Sequence, residues 1–132
     1  MFRDCSSLTT IPQLNTSKVT DVGTMFGSCT KLESVPLLDF SLVTNISSLF
    51  GYSNITTLTE LGGFTGLKID WTGYGSLKML PNITKQSLLN VFDAIADVNS
   101  LGGKKLELGS TNLNKLTDEE KMIATNKGWT LS

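Results

Sequence analysis

Asp118, Glu119 and Glu120 stand in a row, and three adjacent carboxylates are the chain's most conspicuous chemical cluster. Such a group could hold a metal ion or share acid–base work. Its position gives a plainer account. Thr117 precedes it as a capping residue, and Glu120 stands three residues after that Thr, so the acids face the positive end of a helix. Cys5 and Cys29 are the two cysteines, and the chain has 0 His. Neither Ser-His-Asp nor Cys-His catalysis can exist without His. Two Cys cannot complete an ordinary zinc site either. No carboxylate pair carries a motif for glycoside hydrolysis. The reading is non-enzymatic, with no metal and no cofactor. Trp71 and Tyr74, in a glycine-rich stretch with Asp70, could form an aromatic platform for carbohydrate. They could equally pack a core.

Composition removes further classes. The 132 residues carry 11 basic and 12 acidic side chains, for a net charge of −1. That balance gives no electrostatic footprint for nucleic acid or an anionic membrane. No apolar run approaches the length of a membrane span, about 20 residues, and the amino end shows no signal peptide.

The elements that would position these residues are set by an internal repeat. Phe2-x-x-Cys5-x-x-Leu8-x-x-Ile11-Pro12-x-Leu14 recurs as Phe26-x-x-Cys29-x-x-Leu32-x-x-Val35-Pro36-x-Leu38, a shift of 24. Ser17-Lys18-Val19-Thr20-Asp21-Val22 recurs, with the same shift, as Ser41-Leu42-Val43-Thr44-Asn45-Ile46. A third copy reads Ile55-x-x-Leu58-Thr59-x-Leu61, and a fourth Leu77-x-x-Leu80-Pro81-x-Ile83. Tyr52 and Tyr74 then take the Cys position, Trp71 the Phe position, and Phe64 and Leu67 the positions of Val19 and Val22. Equivalent positions place Cys5 beside Cys29 as buried thiols, although a disulfide is within reach.

Units of this length cannot bury their apolar side alone and are expected to stack. The spacing predicts an α/β solenoid of about six right-handed coils, with strand centres near 10, 34, 57, 79, 107 and 130. Parallel strands would occupy one face. Short helices or helical turns would occupy the other, and Val19 to Phe26 fits either an α-helix or a 3₁₀ stretch. Towards the carboxy end, Thr84 caps a helix from about Lys85 to Val98. Lys104 to Leu108 alternates like a half-buried strand. A second helix runs from Thr117 to about Asn126, and Trp129 to Leu131 forms a last strand. One domain, 1–132, thus divides into repeats over 1–83 and terminal helix and strand units over 84–132.

The run Phe-x-x-Cys-x-x-Leu-x-x-Ile-Pro-x-Leu, with Thr-Ser-x-Val-Thr after it, resembles the BspA-like leucine-rich repeats of bacterial surface proteins. The segment from Leu106 to Leu131 resembles the ends of similar proteins of gut bacteria and their phages. The resemblance implies a recognition or adhesion module, on a virion or bacterial surface, that binds a host-surface protein or glycan. It covers residues 1 to about 83 as repeats. Asn112 follows Leu108 by four residues where that repeat type has three, so an asparagine ladder is not expected.

Two surfaces follow from the expected strands. Thr10, Ser34, Thr57, Met79, Lys105, Glu107 and Thr130 would line the outer sheet face, as a contact surface or as plain solvated residues. Met1, Phe2, Leu8 and Ile11 would form an open first coil, either continued by a longer chain or docked on a neighbouring subunit. Asn15, Asn45, Asn54 and Asn82 head formal glycosylation triplets. In a sequence this rich in Ser and Thr such triplets arise freely, and we attach no role to them.

Overall fold

The computed structural model describes residues 1–52 and 55–132. Asn54 of the formal glycosylation triplets lies outside them. The six-coil solenoid does not form. The structure is a small α/β arrangement whose strands are two or three residues long: β1 (Ser34–Val35), β2 (Leu38–Asp39), β3 (Glu60–Leu61), β4 (Phe64–Thr65), β5 (Lys104–Leu106) and β6 (Trp129–Leu131). These pair as three separate parallel couples, β1 with β3, β2 with β4 and β5 with β6. No continuous sheet face links them among the described residues. Proline and glycine explain the interruption. Pro36 cannot donate between β1 and β2, and Gly62-Gly63 separates β3 from β4. Residue 79, an expected strand centre, lies instead in a one-turn 3₁₀ helix, Leu77–Met79.

The register differs as well. Ser34 pairs with Glu60 and Val35 with Leu61, so the third copy is two residues longer than the second rather than one shorter. Phe64 consequently faces Leu38 in β4, not the turn position of Val19. Val19 to Phe26 is not helical. The amides of Val22, Thr24 and Phe26 donate to the carbonyls of Asn45, Ser47 and Leu49 in the following copy, at 2.9, 3.0 and 2.9 Å. Those N–H groups are thereby withdrawn from an i→i−4 ladder. Thr24 and Ser28, at φ 59° and 60°, complete the breaks, because left-handed backbone ends a right-handed helix.

The repeated residues meet by ring stacking. Phe2 lies on Phe26 (centroids 5.9 Å apart), Phe26 on Phe50 (5.5 Å) and Phe50 on Trp71 (6.1 Å). Phe40 and Phe64 stack at 4.8 Å beside them. One buried cluster extends from Ile11 to Trp129. Cys29 is buried within it, but Cys5 is exposed and both thiols are free. Cys5 therefore lacks the covering that Cys29 receives.

The helices belong to the second half. In α1 (Lys85–Ala94), Thr84 Oγ1 accepts the amide of Ser87. Leu88, Val91 and Phe92 are buried on one stripe, as the 3.6-residue period requires. The helix stops short of Val98 because Ile95 turns extended (ψ 152°) and Ala96 then donates to Leu67 O. A five-residue helix α2 (Gly109–Leu113) was not expected. In α3 (Asp118–Thr125) the Thr117–Glu120 capping box is complete. Glu120 also pairs with Lys85 at 2.7 Å. The expected acidic cluster thus serves the helix start.

Candidate functional site

Position 52 departs from the pattern of its own repeat. Asp4, Ser28 and Tyr52 occupy the same turn position in three successive copies, so Tyr52 does not take the Cys position expected from the spacing. The amide of Asp4 donates to Gly27 O and that of Ser28 to Gly51 O, and all three residues have left-handed backbone, at φ 63°, 60° and 74°. Asp and Ser reach that conformation with modest cost, whereas a bulky side chain there is an outlier. Tyr52 gains little burial in return and is 51% exposed.

Its ring meets two partners. Tyr74, also 51% exposed, approaches it edge to face at 6.3 Å and 77°. The Arg3 guanidinium carbon sits 4.7 Å from the Tyr52 ring centre on its face, a cation–π distance. Arg3 Nε lies 3.5 Å from Asp4 Oδ2. Gly27 leaves room for the ring, since a Cβ there would stand 3.0 Å from Tyr52 Cδ2. Past Asp4 the surface opens into a shallow hollow lined by Asp4, Cys5, Ser6, Ser7 and Leu8. The arrangement offers two half-exposed rings, Tyr52 with a guanidinium on one face, and beside them one carboxylate and two exposed hydroxyls. Sequence reasoning found Tyr74 but missed Tyr52 and Arg3. The available signal was an aromatic at a position occupied by Asp and Ser in the earlier copies.

Trp71, the other residue of the expected aromatic platform, is 1% exposed. It packs edge-on against Phe64 at 5.3 Å, and its Nε1 donates to Gly75 O. It is core, unable to touch a ligand. The expected sheet-face row is divided. Thr10 bridges to Ser34 and Ser34 neighbours Glu60. Thr57 lies outside that row and donates its hydroxyl to Leu32 O at 2.7 Å. Met79 is half-buried in its 3₁₀ turn. Lys105 and Thr130 stand side by side across β5 and β6. Of the expected open first coil, Met1 is 82% exposed, Phe2 and Leu8 are half-buried, and Ile11 lies in the core. Among the described residues no group of three Cys, Asp or Glu converges as a metal site would require. No helix there is long and apolar enough to cross a membrane.

Glu107 is the most heavily engaged acid. It accepts from Lys78 Nζ at 2.8 Å, from the amide of Gly73, and from Ser76 Oγ at 3.5 Å. The Lys78 contact first, and the Gly73 amide second, hold its carboxyl below the usual carboxylate value. A lowered folded value stabilises the fold above the unfolded value, about 4.3. That contribution disappears as the pH falls through the lowered one. Denaturant midpoints of the parent and Glu107→Gln should therefore differ at neutral pH and converge only once the pH has fallen below the lowered folded value. Glu107 is a fastener for the Gly73–Lys78 turn, and it leaves the sheet-face row for that reason.

No protein-family model, curated protein or solved structure matches this chain.

Proposed function

We propose that the chain is a non-enzymatic recognition module that binds a cell-surface protein or glycan through the face carrying Tyr52 and Tyr74. A phage tail-type or bacterial surface protein is the setting we assign to it. One observation carries the reading: the chain has 2 Tyr, and both lie half-exposed and in contact on one face. Tyrosine joins a large rigid contact area to a polar tip, so it is concentrated at recognition surfaces. Packing does not account for the pair, because neither ring is buried.

The test is binding of the fluorescently labelled full chain to a panel of intact bacterial strains, beside Tyr74→Ala. The expected result is saturable binding to at least one strain, weakened about tenfold in the variant, which corresponds to about 1.4 kcal/mol. Binding to no strain, or equal binding by both proteins, overturns the proposal.

A further inference from the structure

We infer that the Tyr52–Tyr74 corner, with Arg3 and Asp4, is a saccharide subsite for a neutral pyranose unit. This rests on the recognition reading and names the ligand class of the same face. Three observations converge. The first is backbone conformation. Tyr52 keeps a bulky side chain at φ 74° where Asp4 and Ser28 hold small polar ones. Strained backbone persists where the surroundings impose it, and it concentrates at ligand contacts. The second is shape. The two rings meet at 77°, so one forms a floor and the other an upright wall. The C–H face of a pyranose is its apolar side and lies flat against the electron-rich face of an aromatic ring. The third is the polar surround. Arg3 and Asp4 offer a donor and an acceptor to vicinal hydroxyls, and Ser6 and Ser7 add hydroxyls to the hollow they line with Cys5 and Leu8. The Arg3–Asp4 pair cancels its own charge, which favours a neutral sugar over a sialylated or phosphorylated one.

The experiment uses the isotope-labelled full chain, titrated by NMR with the methyl glycosides of glucose, galactose, mannose and N-acetylglucosamine. At least one should produce saturable shifts at Arg3, Asp4, Tyr52 and Tyr74 with a millimolar dissociation constant. Tyr52→Gly is the decisive variant. Glycine adopts the left-handed region freely, so this protein should melt no lower than the parent while losing about tenfold or more in sugar affinity. A fall in its melting temperature with affinity intact would make the ring a structural prop and overturn the subsite. Absence of shifts from all four glycosides also overturns it. The broader reading is separated by periodate oxidation of a bound strain. Undiminished, Tyr74-dependent binding to oxidised cells would discard the saccharide and keep recognition, whereas loss of cell binding after oxidation agrees with the subsite.

Discussion

Trp71→Ala is expected to destabilise the protein by about 3–5 kcal/mol, the range for truncating a buried large aromatic. The indole is 1% exposed. It ends the stack Phe2–Phe26–Phe50 on one side and meets the edge of Phe64 on another. Alanine leaves a cavity bordered by both rings, and neighbouring side chains collapse into such cavities only in part. Its Nε1 bond to Gly75 O, at 3.2 Å, is lost as well. Gly75 gives that region little room to move inward, since any Cβ built on it would stand 2.4 Å from Ser48 Cα. The backbone of Trp71 ties two parts of the chain together: its amide donates to Lys105 O at 2.8 Å, and its carbonyl accepts from Glu107 at 3.0 Å. The damage should therefore reach β5 and β6. For a protein of this size the loss corresponds to a fall of roughly 10–20 °C in the thermal midpoint. Trp71→Phe, which keeps a ring in the stack, should cost less than half as much. A melting temperature within a few degrees of the parent for the alanine variant would refute the packing described here.

The second large effect is expected at Asn112. Its side chain is fully buried. Nδ2 lies within hydrogen-bonding distance of Leu77 O, Leu80 O and Leu108 O, at 2.9, 3.2 and 3.1 Å, while Oδ1 accepts from Lys115 Nζ at 2.8 Å. One amide thus joins the 3₁₀ turn at Leu77 to the strand exit at Leu108. Asn112→Ala leaves those carbonyls without their donor. Each buried orphan costs about 1–3 kcal/mol, in part shared, so a total of roughly 2–4 kcal/mol is expected by urea unfolding. Equal stability of the alanine variant and the parent would show that water replaces the amide.

How far the structure was legible in the sequence differs between the two halves. Thr84, Thr117 and Glu120 act within three residues of their targets, and local chemistry of that kind is visible in a short window. The repeats were visible too, but their consequence was not. Period alone suggested one continuous sheet. Pairing is decided by which residues fall opposite each other, and the shift lengthens from 24 between the first two copies to 26 at Ser34–Glu60. Setting Ile55-x-x-Leu58-Thr59-x-Leu61 against Leu32-x-x-Val35-Pro36-x-Leu38 misaligned the third copy, because Leu58 and Leu61 are both apolar and Val35 in fact lies opposite Leu61. The five residues of α2 are too few for periodicity to register. At the candidate site, Tyr74 stood out as an aromatic among glycines. Arg3 did not, since its contact with Tyr52 spans 49 positions. Trp71 could be assigned to core or surface only once Phe50 and Phe64 were seen around it.

Two lysines give the second half an unusual response to dissolved salt. Lys115 Nζ donates to Pro81 O and Ile83 O, both at 2.7 Å, and burial pushes its ammonium below the ordinary lysine value. Lys127 Nζ donates to Phe92 O, Asp93 O and Ile95 O, at 2.7, 2.9 and 3.1 Å, where α1 ends. Both ammonium groups are held by peptide oxygens, whereas Lys78 and Lys85 are held by carboxylates. Mobile ions weaken attraction between exposed charges over about 8–10 Å. They do little to a cation seated directly on main-chain dipoles. Brine should therefore loosen the ties at Lys78 and Lys85 before it touches the join between α1 and the turn after α3.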